Sequence, residues 1–389
     1  MAMESLINRR VKEIEISGIR KIANLVAKVP GAVTLTIGQP DFPTPGHILE
    51  AAKRAIDENR TGYTANAGLL ELRQAAAGWV QAKYGQTYDP NSEVIVTLGA
   101  TEALEMALLT LLEEGSEVIL PAPVYPGYEP LVRLCGGIPV LVDTSSSGFR
   151  ITAEQIRSHL TEKTRVVILG YPSNPTGRIL DAEGLAEIAE LLKSREVFVI
   201  SDEIYSELVY EGTHRSIALE PGMREKTIVI NGLSKSHSMT GWRIGFTFAP
   251  EEITKHMVKV HQYHVTCASS ISQYAALEAL TGGPDDALPM REEYRKRRDY
   301  SVGRLEAMGM ELNGIPEGAF YLFPSIRPFG LSSEAFAYKL LEEQKVGVVP
   351  GDAFSQYGEG YIRLSYAYSM AQLEEAFNRM ERFVQSLKG

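Results

Sequence analysis

From about residue 93 the chain alternates short runs of apolar, largely β-branched residues with stretches of helical periodicity, and no other feature limits its fold as much. The apolar runs are "EVIVTLG" (Glu93–Gly99), "SEVILPAP", "IPVLVDT", "TRVVILGYP", "VFVISDEIY" and "KTIVI" (Lys226–Ile230). Between them, "ATEALEMALLTLLEEG" and "AEGLAEIAELLKSRE" (Ala182–Glu196) space their apolar residues along one helix face. A strand that is apolar without alternation is buried on both faces. Alternating such strands with helices implies βαβ units and a mainly parallel sheet sandwiched by helices, an α/β fold.

With 389 residues there is room for roughly two domains. The rhythm changes after "SISQYAALEALTGG". A long charged helix, "MREEYRKRRDYSVGRLEAMG" (Met290–Gly309), precedes short strands in "AFYLFPSI", "VGVVPG" and "YIRLSYA", then a helix from Met370. The expected division is a large domain over residues 47–285 and a smaller α/β domain over 286–389. Residues 1–46 form an arm that belongs in part to the small domain, or packs on a neighbouring subunit.

The formal charge is 39 − 49 = −10, so no basic field points to nucleic acid or to an anionic membrane. The N-terminus alternates charge with aliphatics and lacks the apolar core of a signal peptide, and no apolar run approaches the ~18 residues of a membrane span. A cytoplasmic protein is expected, with its two cysteines, Cys135 and Cys267, as reduced core thiols.

In open α/β sheets, reactive groups collect at the carboxyl ends of the strands. Those ends carry Gly99-Ala100-Thr101, Tyr125, Asn174, Asp202 with Tyr205, Ser234-Lys235, and Arg243. Gly99 to Thr101 open a helix whose N-terminus could hold phosphate, or form a plain strand-to-helix turn capped by Thr101. Asp202 follows apolar residues and needs a partner if buried; a loop start or a Mg²⁺ site would serve equally. In "YPSNPTG" (Tyr171–Gly177), prolines flank Ser173-Asn174 and stiffen the strand exit, or simply make a turn.

Some chemistries fail on letters. A P-loop requires glycines where Val229 and Ser234 stand, and the dinucleotide fingerprint G-x-G-x-x-G does not occur. His256, His261 and His264 share a helical stretch without the spacing of a zinc motif. What remains is an amine, a carboxylate, phenols, an amide and a phosphate cradle. Pyridoxal 5′-phosphate calls for that set, because its aldehyde takes a lysine and its pyridinium nitrogen an acidic partner.

"SKSHSMTGWRIG", "YPSNPTG" and "SDEIYSELVY" together resemble the class I/II aminotransferases of the aspartate-aminotransferase fold, and the likeness runs from "TIGQPDFPTP" to "GEGYIRLSYA". The stretches "EIEISGIRKIANLVA", "INGLSKSHSMTGWRIGF" and "HQYHVTCASSISQ" are similar to those of bacterial N-acetyl-L,L-diaminopimelate aminotransferases of the lysine pathway. The resemblance implies Lys235 as the lysine that joins the cofactor's aldehyde, Asp202 on the pyridine nitrogen, and Tyr205 and Asn174 on the ring oxygen. Tyr125 would stack on the ring. Ser234, Arg243 and the backbone at Gly99, Ala100 and Thr101 would hold the phosphate. Tyr63 in "TGYTANAGLLELR" would reach the phosphate in the other subunit of a homodimer with shared sites. Arg363 would grip the substrate α-carboxylate, with Gly38 giving a backbone contact beside it. The substrates implied are an amino acid and a 2-oxo acid exchanging an amino group by a ping-pong mechanism.

Two departures stand out. Gly232 occupies a position where some relatives carry a hydroxyl, and no motif fixes a second arginine for a substrate's distal carboxylate. An aspartate or aromatic aminotransferase, or a β-lyase, would use the same Arg363. A DNA-binding regulator built on this fold would need a helix-turn-helix or basic stripe, which residues 1–46 do not offer.

Overall fold

A computed structural model describes residues 3–388. Its first strand, β1 (Val33–Thr34), lies outside the main sheet. That sheet contains β2 (Val94–Thr97), β3 (Glu117–Ala122), β4 (Ile138–Asp143), β5 (Thr164–Gly170), β6 (Phe198–Asp202), β7 (Thr227–Gly232) and β8 (Gly245–Phe248). Their spatial order is β2-β8-β7-β6-β5-β3-β4. All neighbours pair in parallel except β8, which runs antiparallel to both β2 and β7.

The uninterrupted apolar runs are explained by what covers the sheet. Val166 and Ile168 pack with helices Gly99–Leu111 and Glu251–His264 through Leu104, Ala107, Ile253 and Met257. Val167 and Leu169 face the other way, onto Leu185 and Ile188 of helix Ala182–Leu192. Successive side chains thus enter two separate cores, so both parities must be apolar. The chain adds β4 on one side of β3 and β5 on the other. At such a reversal the connections leave in opposite directions, and a crevice opens beyond the strand ends.

Beyond the main sheet, β9 (Tyr321–Leu322), β11 (Val349–Pro350) and β12 (Ile362–Ser365) form an antiparallel sheet in the order β11-β12-β9. β10 (Val346–Gly347) pairs in parallel with β1. The run "VGVVPG", expected as one strand, is therefore two strands in different sheets. The chain changes partner at Val348, which apolar letters alone cannot signal. Helix Ala182–Leu192 stops short of Glu196, and helix Ala287–Met308 starts before Met290 and ends at Gly309 with φ +77°. A left-handed residue there turns the chain out of the helix at no steric cost for glycine.

The N-terminal segment is held by the C-terminal third. Helix Gly18–Val26 buries Ile22 and Val26 against Val349, Phe354 and Tyr361. Asp41 accepts two 2.8 Å hydrogen bonds from Arg297 in helix Ala287–Met308. Cys135 and Cys267 are unpaired but only half-buried, not the core thiols expected. No described helix is long and apolar enough to cross a membrane.

Candidate active site

The carboxyl ends of β3, β5, β6 and β7 meet at a cavity of about 420 Å³, closed from the other side by β12 and the N-terminal segment. β6 delivers Asp202, which is 7% exposed. Tyr128 donates its hydroxyl to Asp202 Oδ2 at 2.7 Å, and the Ile204 N–H donates to Oδ1 at 3.2 Å. Burial raises the Asp202 pKa, opposed by these two hydrogen bonds, which favour the carboxylate. Tyr128 was not singled out from the sequence, although it lies three residues past Tyr125 in "APVYPGY". Gly170, at the end of β5, makes room for it, since a Cβ there would overlap the Tyr128 hydroxyl.

After β7 the chain makes one helical turn, Leu233–Ser236, which aims Lys235 into the cavity. Its Nζ donates to the carbonyl of Gly38 at 2.5 Å and lies 5.7 Å from the ring centroids of Tyr205 and Phe320. Burial, then the charges of Arg363 and Arg243, pull its pKa down to about 8. The Tyr205 and Tyr321 hydroxyls are 2.6 Å apart. Gly38 has no space for a Cβ, which would strike that same Tyr321 hydroxyl. Tyr321 was likewise missed; as an aromatic in a predicted strand it reads as core.

Arg363 enters from β12 and is 1% exposed. It donates to Asn174 Oδ1 at 3.0 Å and to the Thr36 carbonyl, while its Nε has no partner. The guanidinium lies 4.6 Å from the Tyr321 ring centroid and 5.0 Å from that of Phe354. No carboxylate pairs with it among the described residues. A buried cation without a counter-ion is costly unless an anion is supplied from outside. Asn174, its partner, lies in a segment whose bonds to Pro172 and Pro175 are both cis.

The fourth wall is the N-terminus of helix Gly99–Leu111, which has no side-chain cap. Thr101, expected to cap it, lies inside the first turn and lines the cavity instead, together with Ala100, Ser234 and Arg243. Gly99 stands just behind them in the left-handed region, φ +79°, with the Arg243 guanidinium against it. Gly245 also has to be bare, because a Cβ there would lie 2.7 Å from the Gly99 carbonyl carbon. Free helix N–H groups beside an arginine make a cradle for an anion.

Tyr125 lines the cavity too, edge-on to Tyr128 with ring centroids 5.4 Å apart. Of the residues expected at the site, two do not line this chain's own cavity: Gly99, which stands behind Ala100 and Thr101, and Tyr63, which is 89% exposed. His261 is buried and sits 2.8 Å from Glu102, whose other oxygen accepts the Leu98 N–H at 2.7 Å. No cluster suited to a metal ion occurs among the described residues.

The profile of the family described as Aminotransferase class I and II matches residues 30–380. A Bacillus subtilis (strain 168) protein named as a probable N-acetyl-LL-diaminopimelate aminotransferase is 59% identical over 382 residues, spanning 98% of this chain and 96% of its own. Aromatic-amino-acid aminotransferase 2 of Thermococcus litoralis is 42% identical, spanning 97% of this chain and 98% of its own. The crystal structure of an aspartate aminotransferase from Rhizobium meliloti superposes with a TM-score of 0.92 at 37% identity, covering 97% of this chain and 98% of that one.

Proposed function

We propose a specific reaction for this chain, which belongs to the class I and II aminotransferases and is therefore a pyridoxal 5′-phosphate-dependent transaminase. The reaction is reversible transfer of an amino group between N-acetyl-L,L-diaminopimelate and 2-oxoglutarate, in the service of lysine biosynthesis. The name of the 59% identical relative supports the donor. The observation that carries an amino-acid substrate is Arg363, a buried guanidinium with no carboxylate of its own.

The residues fit the cofactor. An uncapped helix N-terminus beside Arg243 suits a phosphate, and Asp202, buried in the cavity wall, suits a protonated ring nitrogen. When bound, pyridoxal phosphate supplies an aldehyde that takes up amines and a ring that accepts the electrons left as a Cα–H bond breaks. Ser234, Arg243 and the N–H groups of Ala100 and Thr101 hold the phosphate. Tyr205 and Asn174 would hold the ring oxygen, and Tyr125 would pack on the ring. Asp202, oriented by Tyr128, keeps the ring nitrogen protonated, and that neighbouring cation in turn offsets the rise in its own pKa.

Lys235 would be the residue whose amine holds the cofactor. With the cofactor bound, the Nζ of Lys235 would be placed to take a proton from the substrate Cα and give it back, a task suited to an amine whose pKa is near 8. The Gly38 carbonyl receives Nζ when it is free. Arg363 grips the α-carboxylate with two parallel N–H donors and so fixes the Cα–H bond relative to Lys235. One substrate anchor serves both substrates, so the first product leaves before the second substrate enters, and the mechanism is ping-pong. In this reading residues 47–285 carry the cofactor, and 286–389 with part of 1–46 bring the substrate anchor. The exposed Tyr63 completes the phosphate site of a second copy in a homodimer.

The test is the visible absorption of the purified holoenzyme. Glutamate should convert the cofactor band and 2-oxoglutarate should restore it. N-acetyl-L,L-diaminopimelate should then give a higher kcat/KM than aspartate or phenylalanine. Equal or better turnover of those two overturns the donor assignment, and release of pyruvate and ammonia would mark a β-lyase.

A further inference from the structure

Asp202 is followed by a second buried carboxylate that no role in the cavity explains. Side chains alternate along β6, so Asp202 faces the cofactor cavity while Ser201 and Glu203 face the other side of the sheet. There Ser201 lines a separate cavity of about 600 Å³. Glu203 is 0% exposed. It accepts from the Ser201 hydroxyl at 2.8 Å and from the Gln86 amide at 3.1 Å, but neither donor carries charge. A carboxylate this deep is costly without a counter-charge.

His214 supplies it, from the loop that leads to the turn Ile217–Leu219. Its side chain is 7% exposed, and Nε2 lies 2.9 Å from Glu203 Oε2. The approach lacks the alignment of a hydrogen bond, so what it offers is charge. The Tyr84 ring stands edge-on to the imidazole, with centroids 5.5 Å apart, and holds it in place. Neighbouring charges pair among themselves, Glu207 with Lys83 at 3.0 Å and Glu220 with Arg215 at 2.8 Å. Burial pushes the Glu203 pKa up, yet the charge of His214, helped by Ser216 and Ser201, brings it below the ordinary glutamate value. Glu203 is therefore an anion.

That anion bears on its neighbour. Burial is the main cause of the raised Asp202 pKa, and the Glu203 charge pushes the same way. Glu203 lies behind Asp202 as seen from the cavity, nearer to the carboxylate than to a ring held in front of it. Left uncompensated, its charge would draw the shared proton from the ring nitrogen onto Asp202. We propose that His214 is a positioning residue acting through the sheet: paired with Glu203, it cancels the charge behind Asp202 and so keeps that proton on the cofactor's ring nitrogen. Neither His214 nor Glu203 lines the cofactor cavity. The inference rests on the placement of Asp202 at the ring nitrogen proposed above.

The experiment uses the full-length chain, freed of cofactor, as wild type, His214→Gln, Glu203→Gln and the double variant. Each is titrated with pyridoxal phosphate and with its 1-deaza analogue, in which a C–H replaces the ring nitrogen. A pH of about 6 lies above the ordinary glutamate pKa and below that of histidine. The ratio of the two affinities reports the ring-nitrogen contact, whereas damage to the fold weakens both ligands alike. His214→Gln should cut the preference for pyridoxal phosphate by about tenfold, the change that one pKa unit at Asp202 produces. Glu203→Gln and the double variant should keep the wild-type preference, because the charge to be cancelled is gone. An unchanged ratio in His214→Gln, or a double variant no better than His214→Gln, would overturn the inference while leaving Asp202 in its role. A wild type with no preference for pyridoxal phosphate over the analogue would overturn the placement of Asp202, and this inference with it.

Discussion

Lys235 should make the apoprotein less stable than it would be without it. Its amine pKa falls from 10.5 to about 8 on folding, chiefly through burial and then through Arg363 and Arg243. Below pH 8 the lysine is protonated in both folded and unfolded chains, and the whole cost of holding that charge in the cavity is present. Between about 8 and 10.5 the unfolded chain keeps the proton that the folded one has lost, so the unfolded state binds more protons and stability rises with pH. Above 10.5 the amine is neutral in both states and the cost is gone. Two and a half pH units at about 1.36 kcal/mol each set an upper bound of about 3.4 kcal/mol. Lys235 is only half-buried, and its hydrogen bond to Gly38 returns about 1 kcal/mol. Lys235→Met, similar in length and uncharged, should therefore stabilise the apoprotein by about 1–2 kcal/mol at pH 7. Urea unfolding of both apoproteins at equal protomer concentration, at steps from pH 7 to pH 10.5, measures the difference with m held as a control. The gap should close as the pH rises. A variant no more stable than the parent at pH 7, or a gap independent of pH, would refute the reasoning.

Other substitutions test the walls of the cavity. Gly38→Ala should lower kcat/KM for every substrate, because its Cβ displaces the Tyr321 hydroxyl, and Tyr321→Phe in the same chain should restore part of the loss by removing the atom struck. Arg363→Lys should raise KM at least about tenfold for any amino acid, since the two-point grip is lost and Asn174 or Thr36 loses its donor. Tyr128→Phe removes a hydrogen bond that favours the Asp202 carboxylate, so the Asp202 pKa moves further up and the acid limb of the kcat profile should shift to higher pH. An unchanged acid limb would show that Tyr128 only fills space.

Two of the groups proposed to carry the chemistry were legible because each interrupts a local pattern. Asp202 and Lys235 lie at or just past the ends of strands apolar at both parities, and a charge there has to be accounted for. The main sheet was legible for the same reason. Arg363 was not readable from its surroundings: in "YIRLSYA" it looks like the solvent-facing residue of an alternating strand, and its role came from the resemblance to a family. β12 in fact buries both faces, so the alternation misleads. The partners of these groups were hidden by distance along the chain. Tyr205 meets Tyr321 across 116 residues, Lys235 meets Gly38 across 197, and Arg363 meets Thr36 across 327. No local period encodes such pairings.

Those long-range partners share one origin, which changes the status of the N-terminal segment. Thr36 and Gly38, the acceptors for Arg363 and for Lys235, are two residues apart on it. The segment is stitched between the two small sheets: the Leu35 N–H donates to Gly347 at 2.8 Å, and the Leu35 carbonyl accepts from Ser365 at 2.9 Å. Ser365 belongs to the same strand as Arg363, so one ladder of hydrogen bonds sets the height of both acceptors relative to the guanidinium. Helix Gly18–Val26 leads into this stretch and packs on β11 through Val349. What reads in sequence as an arm is thus a wall of the cavity. Residues 33–38, docked on β10 and β12, hold the acceptors that fix the positions of Lys235 and Arg363.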